Sequence, residues 1–116
     1  MQYLLMVYAN EGGWDQMTEA EQQQGIAAYT AYTEALTKAG VLRGGNRLQP
    51  AATATTVRLA GGKSQVLDGP YADSTEQLGG YYLIEAADLD AAIAWAARCP
   101  GAGHGIMEVR PVWEDS

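Results

Sequence analysis

The chain has 116 residues, a length that predicts a single domain spanning residues 1–116 with one hydrophobic core. It carries 14 acidic residues against 7 basic ones, and the basic residues form no stripe, so we expect no nucleic-acid partner. The single cysteine, Cys99, excludes an internal disulfide, and one histidine gives no Cys/His metal spacing. We therefore expect neither a metal nor a cofactor.

A β-strand is predicted over residues 3–9, YLLMVYA, because the run is rich in β-compatible residues. Both parities of this strand are apolar, which indicates that both of its faces are covered. The run is too short to span a membrane, and no Lys or Arg precedes it as in a signal peptide. We therefore expect a cytoplasmic protein with no membrane partner.

The first helix is predicted from Thr18 to Ala39. Thr18 and Glu21 have the spacing of a capping box, and Gly40 stands where a helix ends in a left-handed residue. The predicted buried stripe of this helix consists of Ile26, Tyr29, Thr33 and Leu36.

Four further strand segments follow the first helix. Residues 41–48 are predicted as a strand, and residues 55–60 and 64–67 as a hairpin joined by Gly61-Gly62-Lys63. Residues 80–86 form the next predicted strand, after a polar segment that begins with an Asp-Gly-Pro turn.

A second helix is predicted after Asp88, whose side chain is suited to cap it, and Pro100-Gly101 is expected to end it. Its predicted apolar stripe consists of Leu89, Ala92, Ile93 and Ala96. The last strand is predicted over residues 106–112.

The order β-α-β, hairpin, β-α-β predicts a ferredoxin-like α+β sandwich, an antiparallel sheet with two helices on one face. The first strand is apolar on both parities, and Tyr81 and Leu83 alternate with Tyr82 and Ile84 in a later strand. The face without helices must also be covered. A second copy of the sheet would cover it, so we predict a homodimer of the dimeric α+β barrel type that encloses a cavity.

The motif Asp68-Gly69-Pro70-Tyr71, followed by Glu76–Tyr82, resembles the YCII-related family in the branch marked by a DGPF motif. The similarity extends to the first strand and to the closing segment Glu108–Val112, so it covers almost the whole chain. The resemblance implies a ferredoxin-like fold and dimeric assembly.

The resemblance does not carry over the dyad of the better-understood YCII branch. That branch pairs a helix His with an Asp after the second helix, in elimination or dehydrochlorination chemistry. In this chain Ala28 and Tyr29 lie near the His position, and Cys99 occupies the Asp position. For the DGPF branch the resemblance implies no settled activity.

Three carboxylates lie in the segment around the motif. Asp68 is a candidate general base or ligand acceptor, or else the side chain of an Asx-turn. Asp73 and Glu76 either join it in an acid–base cluster or belong to a solvated loop. Oxygen ligands for Mg²⁺ or Ca²⁺ are usually spaced more regularly, so a metal is not expected.

Arg110 shares a strand parity with Glu108 and is either half of a structural ion pair or a clamp for a substrate carboxylate. His104 lies between glycines and is expected in an exposed loop. The tyrosines, Tyr81 among them, are expected mainly in the core and interface, and some of them line the cavity. Cys99, at the end of an apolar helix, is expected to be inert.

The predicted function is the binding of a small anionic metabolite in the dimer cavity. The candidate ligand-binding residues are Asp68, Tyr71, Glu76, Tyr81 and Arg110. Two alternatives to simple binding remain. One is a cofactor-free lyase or isomerase acting on a small organic acid, with Asp68 as general base, and the other is a metabolite sensor that signals through its dimer.

Overall fold

The fold is a mixed α+β arrangement, seen in a computed structural model that describes residues 1–114. The last two residues of the predicted domain 1–116 lie outside the described residues. The strands are β1 Gln2–Ala9, β2 Leu42–Arg47, β3 Thr55–Ala60, β4 Lys63–Asp68, β5 Gln77–Glu85 and β6 Ile106–Pro111. The helices are α1 Gly12–Asp15, α2 Glu19–Lys38, α3 Leu89–Arg98 and α4 Gly101–His104, and a 3-10 turn spans Ala51–Thr53.

The main sheet has four strands in the order β2-β5-β1-β6, and all of its neighbouring pairs are antiparallel. The two strands of the first β-α-β unit are thus separated by a strand of the second unit, which is the ferredoxin-like interleaving. Helices α2 and α3 pack against the same face of this sheet. The predicted sandwich, with an antiparallel sheet and helices on one face, is confirmed.

Helix α2 begins and ends as its sequence predicts. The Glu21 N–H donates to Thr18 Oγ1 at 3.1 Å, and the Thr18 N–H donates to Glu21 Oε1 at 3.0 Å, which completes the capping box. At the other end Val41 N–H donates to the Leu36 carbonyl at 3.1 Å and Gly40 N–H to Thr37 at 3.0 Å. These two bonds form a Schellman motif.

The predicted buried stripe of α2 is correct only in its second half. Leu36 is fully buried and Tyr32 is buried beside it, but Ile26 is 51% exposed. The first half of α2 lies against Trp14 instead of the core. Gln22 Nε2 donates to the Trp14 carbonyl at 2.9 Å, and a Cβ added at Gly25 would lie 3.4 Å from the Trp14 ring.

The predicted stripe of α3 has the right period but the wrong centre. Ala92 and Ala96 are buried, whereas Leu89 and Ile93 are about half exposed. The face formed by Ala92 and Ala96 packs on the core, and Cys99, directly after the last helical residue, is buried in line with it. Close approach of small side chains therefore outweighs the burial of the larger ones.

The chain between α3 and β6 differs from the expected loop. Helix α3 ends at Arg98 as predicted, but Pro100 then begins the short helix α4. His104, expected in a flexible glycine loop, is the last residue of α4 and is exposed. Proline at the start of a helix has no N–H to leave unpaired, so Pro100-Gly101 ends one helix and starts another.

The core lies between the main sheet and the two long helices. Leu5, Leu36 and Ile84 are fully buried at its centre. The Tyr32 hydroxyl donates to the Trp95 carbonyl at 2.7 Å, which joins α2 to α3 over the sheet. The odd-numbered positions of β1 thus fill the core, and its even-numbered positions point to the opposite face.

Strands β3 and β4 form a separate two-stranded sheet. Their connection is the two-residue turn Gly61-Gly62, shorter by one residue than predicted, since Lys63 already belongs to β4. The φ angles of 59° and 80° at these glycines match a type I′ turn, which favours glycine at both positions. We call this hairpin, residues 55–68, the arm.

Candidate functional site

The face of the main sheet opposite the helices carries a second set of side chains, most of them partly exposed, with Met6 buried among them at 8% exposure. We call it the open face. Its members are Leu4, Met6, Tyr8, Tyr81, Leu83, Ile106, Glu108 and Arg110. The strand registers place Leu4 opposite both Leu83 and Arg110, and Met6 opposite both Tyr81 and Glu108. Side chains directly opposite each other on neighbouring strands share a face, so these residues form two adjacent rows.

The open face has an apolar floor edged by hydroxyl groups. Leu4, Met6 and Leu83 form the floor. The Tyr81 hydroxyl accepts a hydrogen bond from Asn46 Nδ2 at 2.9 Å, so a residue of β2 fixes the ring that β5 presents. The Tyr8 hydroxyl lies 3.9 Å from Met6 Sδ on the neighbouring row.

Arg110 and Glu108 form an ion pair at the β6 side of the open face. The Arg110 NH2 group donates to Glu108 Oε2 at 2.5 Å. Both side chains are exposed, so solvent screening leaves this pair little net contribution to stability. The other guanidinium N–H groups of Arg110 still have donor capacity for a second anion.

Asp68 is the last residue of β4 and lies on the arm, opposite Thr55. The base of the arm is closed by two hydrogen bonds, from Gly69 N–H to the Ala54 carbonyl at 2.7 Å and from Thr56 Oγ1 to the Gly69 carbonyl at 2.8 Å. Gly69 has φ of 102°, a backbone conformation that residues with a side chain rarely adopt, so the motif favours glycine at this position.

The remaining motif residues lie between the arm and β5. Tyr71 is 79% exposed, Asp73 is exposed and Glu76 is half-buried. Ser74 and Gln77 organise the approach to β5, since Ser74 Oγ donates to the Glu76 carbonyl and Gln77 Nε2 to the Ser74 carbonyl. Strand β5 begins at Gln77, three residues before the predicted start.

Cys99 is buried in the core on the helix side of the sheet, and Tyr29 packs against that core. Burial raises the pKa of Tyr29 to about 12, and the neighbouring Cys99 and Tyr82 add to this shift. Burial also raises the pKa of the Cys99 thiol. A buried thiol with a raised pKa is a poor nucleophile, so these residues act in packing.

The concavities of the single chain are shallow. Of the two best-formed ones within residues 1–114, one lies on α2, and the other joins Met1 and Arg110 to the segment Pro111–Glu114. In the same residues no group of three His, Cys, Asp or Glu side chains is arranged to hold a metal ion. No helix in this part of the chain is long and apolar enough to cross a membrane.

The structure therefore places Tyr81 and Arg110 on one sheet face but in different rows, since Tyr81 lies opposite Met6 and Arg110 lies opposite Leu4 on the intervening strand β1. Asp68 lies on the arm, and Tyr71 and Glu76 lie in or beside the loop that follows it. Sequence reasoning missed Asn46 as the partner of Tyr81. Finding it requires the pairing of β2 with β5, whose register shifts between Leu42 and Gly44.

An interleaved antiparallel sheet with helices on one face and an open second face defines a ferredoxin-like α+β protein. Residues 1–115 match the model of the YCII-related domain, and the chain belongs to that family.

Two similar proteins illustrate the range of this likeness. An uncharacterised protein of Rhizobium meliloti (strain 1021) is 34% identical over 114 residues, covering 97% of this chain and 92% of the relative. The second is a solved structure, 5-chloro-2-hydroxyhydroquinone dehydrochlorinase (TftG) from Burkholderia phenoliruptrix in complex with 2,5-dihydroxybenzoquinone. It is similar with a TM-score of 0.56 and 18% identity, covering 100% of this chain and 96% of that one. At this identity the second likeness concerns the fold.

Proposed function

We propose that the protein binds a small, planar, anionic molecule on the open face of its main sheet, in a cavity that a second copy closes. The observation that carries this proposal is the composition of the open face, an apolar floor with hydroxyl and guanidinium groups at its edge. Small-molecule sites typically combine an apolar lining with a few polar groups that fix orientation.

The floor suits a flat ring. Leu4, Met6 and Leu83 offer apolar contact to one side of a planar ligand, and the Tyr8 and Tyr81 hydroxyls stand beside them. The bond from Asn46 occupies the Tyr81 oxygen as an acceptor and leaves its O–H free to donate. Such a donor matches a ligand carbonyl or carboxylate oxygen.

The charge of the ligand is inferred from Arg110. Within residues 1–114 this guanidinium is the basic group of the open face, and its ion pair with Glu108 uses a single N–H. Its planar donor set favours carboxylates and related oxyanions. A fold neighbour solved with a dihydroxybenzoquinone supports the choice of a small oxygenated ring as the ligand class.

The cavity itself needs a lid. The open face of one chain is a flat floor, and stacking a second sheet on it in a two-fold pair would enclose the ligand between the two. We assign Asp68, Tyr71 and Glu76 to the rim of this cavity and place the chain in the DGPF branch on the same motif. A cytoplasmic location is part of the proposal, since the single Cys99 shows no disulfide framework.

Catalysis by Asp68 is the second candidate function. Asp68 is exposed at the base of the arm, and within residues 1–114 its carboxylate accepts no hydrogen bond from its own turn. A cofactor-free elimination or isomerisation would use it as a general base on a ligand bound at the open face. The dehydrochlorinase activity named for the fold neighbour belongs to the same broad class of reactions.

The test is calorimetric titration with 2,5-dihydroxybenzoquinone and with 2,5-dihydroxybenzoate. We expect Arg110→Gln to weaken binding by about tenfold or more, because a hydrogen bond to a charged group is lost. The matched control is Arg98→Gln, since Arg98 stacks on Trp95 on the helix side of the molecule.

Equal affinities of the two arginine variants, or no binding of either probe to the native protein, would contradict the binding proposal. Absorbance of the same mixtures over time reports turnover. If the native protein turns a probe over, and Asp68→Asn abolishes this turnover while binding persists, the protein is an enzyme that uses Asp68 as its general base.

A further inference from the structure

The arm is the least enclosed part of the described chain. Strands β3 and β4 pair with each other and with no strand of the main sheet, and every residue from 57 to 68 is exposed. An isolated two-stranded hairpin is at best marginally stable in water. The segment that leads into the arm is nevertheless attached to the body of the molecule. Ala51 N–H donates to Glu11 Oε1 at 2.8 Å, and Leu48 N–H donates to the Gly79 carbonyl at 2.9 Å.

The two faces of the arm differ in chemistry. One face carries Val57 opposite Val66 and Leu59 opposite Ser64 towards the tip, and Thr55 opposite Asp68 at the base, so its outer part is mainly apolar. The other face carries Arg58, Gln65, Lys63 and Leu67. Val57, Leu59 and Val66 are 63%, 72% and 62% exposed. A ribbon with a continuous apolar face in solvent marks an interaction surface.

The dimensions of the molecule show that the arm does not fold back on its own body. The radius of gyration is 16.1 Å, whereas a compact domain of this length has about 13 Å. The molecule measures 48 × 47 × 18 Å, so the arm continues in the plane of a thin slab. Its apolar face is therefore left uncovered by residues 1–114.

Charge indicates which molecule covers it. The arm, residues 55–68, contains Arg58, Lys63 and a single carboxylate, Asp68, which gives it a formal charge of +1 and the rest of the chain −8. The arm is thus opposite in net charge to the body of an identical chain, with Arg58 and Lys63 on the face that the apolar contact leaves open. A basic arm placed on an acidic body also offsets the repulsion between two chains of charge −7.

We propose that the arm is a clasp between two copies of this chain, packing its Val57, Leu59 and Val66 face against the body of the second copy. In a two-fold pair the contact occurs twice, once for each arm. This inference shares with the proposed function only the two-fold pairing, and it names a contact surface outside the stacked sheets.

The test compares two variants of the arm by analytical ultracentrifugation across a range of concentrations. The double variant Leu59→Ser and Val66→Thr alters the apolar face, and Leu67→Ser alters the opposite face at a leucine of similar exposure, 64%. We expect the double variant to raise the dimer Kd by at least roughly tenfold, because every lost contact counts twice, and the control to leave it nearly unchanged.

Dimer constants that are equal for the double variant and the control would overturn the clasp while leaving the stacked sheets in place. A native protein that stays monomeric to millimolar concentration would overturn both pairings. Hydrogen exchange gives a second readout that needs no substitution. We expect the arm amides of the native protein to become protected as its concentration rises, and protection that is independent of concentration would also overturn the clasp.

Discussion

The helix side of the main sheet and the arm both contain branched aliphatic side chains, which are buried in the first region and exposed in the second. Leu5, Leu36 and Ile84 are fully buried beneath the helices, whereas Leu59 and Val66 are more than three-fifths exposed. Both sets alternate with polar or oppositely facing residues in regular secondary structure. The difference is that α2 and α3 are available to cover the sheet, and nothing within residues 1–114 covers the arm.

This contrast separates two sources of stability. The helix side is stabilised within one chain, through apolar burial and through bonds such as that from Tyr32 to Trp95. Within residues 1–114 no second layer covers the arm or the open face, and in the proposals above association completes both. Substitutions on the helix side should therefore act on unfolding at any concentration, and substitutions on the arm should act on assembly.

The largest effect is expected from Leu36→Ala. Leu36 is fully buried, and removing a buried leucine side chain leaves a cavity that costs about 2–5 kcal/mol of unfolding free energy. The same substitution at Leu67, 64% exposed on the arm, is expected to change this free energy by less than about 0.5 kcal/mol. Urea denaturation at low protein concentration measures both free energies. Similar losses of unfolding free energy in the two variants would show that the arm contributes to the stability of a single chain as the helix side does.

Alkaline pH should act mainly on the helix side. Tyr29 has its pKa raised from 10.0 to about 12, so the folded state keeps a proton that the unfolded chain releases. This contribution to stability is complete below pH 10 and is lost as the pH rises towards 12. The raised pKa values of Tyr32, Tyr82 and Cys99 act in the same direction.

Urea midpoints measured at several alkaline pH values test this expectation. Tyr29→Phe should show a shallower decline than the native protein, whereas Tyr71→Phe, at an exposed loop position, should decline in parallel with it. A parallel decline for Tyr29→Phe as well would show that the Tyr29 hydroxyl keeps an ordinary pKa in the folded protein.

The smallest of the three effects concerns the base of the arm. Gly69→Ala places a side chain at φ of 102° and is expected to cost about 1–2 kcal/mol. Gly103→Ala is the control, since a Cβ added at Gly103 in α4 would meet no atom within 4 Å and its φ is not positive. Equal denaturation midpoints for the two variants would show that the turn after Asp68 tolerates a side chain without strain.

Much of the fold follows from local sequence signals. The capping box at Thr18, the Schellman motif at Gly40 and the Gly61-Gly62 turn each depend on contacts within a few residues. For that reason the elements appear close to their predicted bounds. The predicted burial of side chains is wrong where tertiary packing decides it. Ile26 and Ile93 were predicted as buried and are about half exposed, and in α3 the alanines are buried in place of Ile93.

The candidate site was harder to predict from sequence. The placement of Tyr81 and Arg110 on one face follows from strand alternation once the sheet order is known. The bond from Asn46 to Tyr81 depends on a register shift in β2 that local sequence does not reveal. The assignment of Asp68 to the arm also depends on which strands pair, because the hairpin was predicted without its separation from the main sheet.

The separation of the arm from the main sheet has a further consequence for solubility. Each arm strand pairs on one side only, so its other edge presents unpaired N–H and C=O groups, the template from which chains join into extended aggregates. Arg58 and Lys63 place positive charge along these edges. Charged side chains of this kind disfavour strand-by-strand growth, so Arg58 and Lys63 protect the exposed arm against uncontrolled self-association.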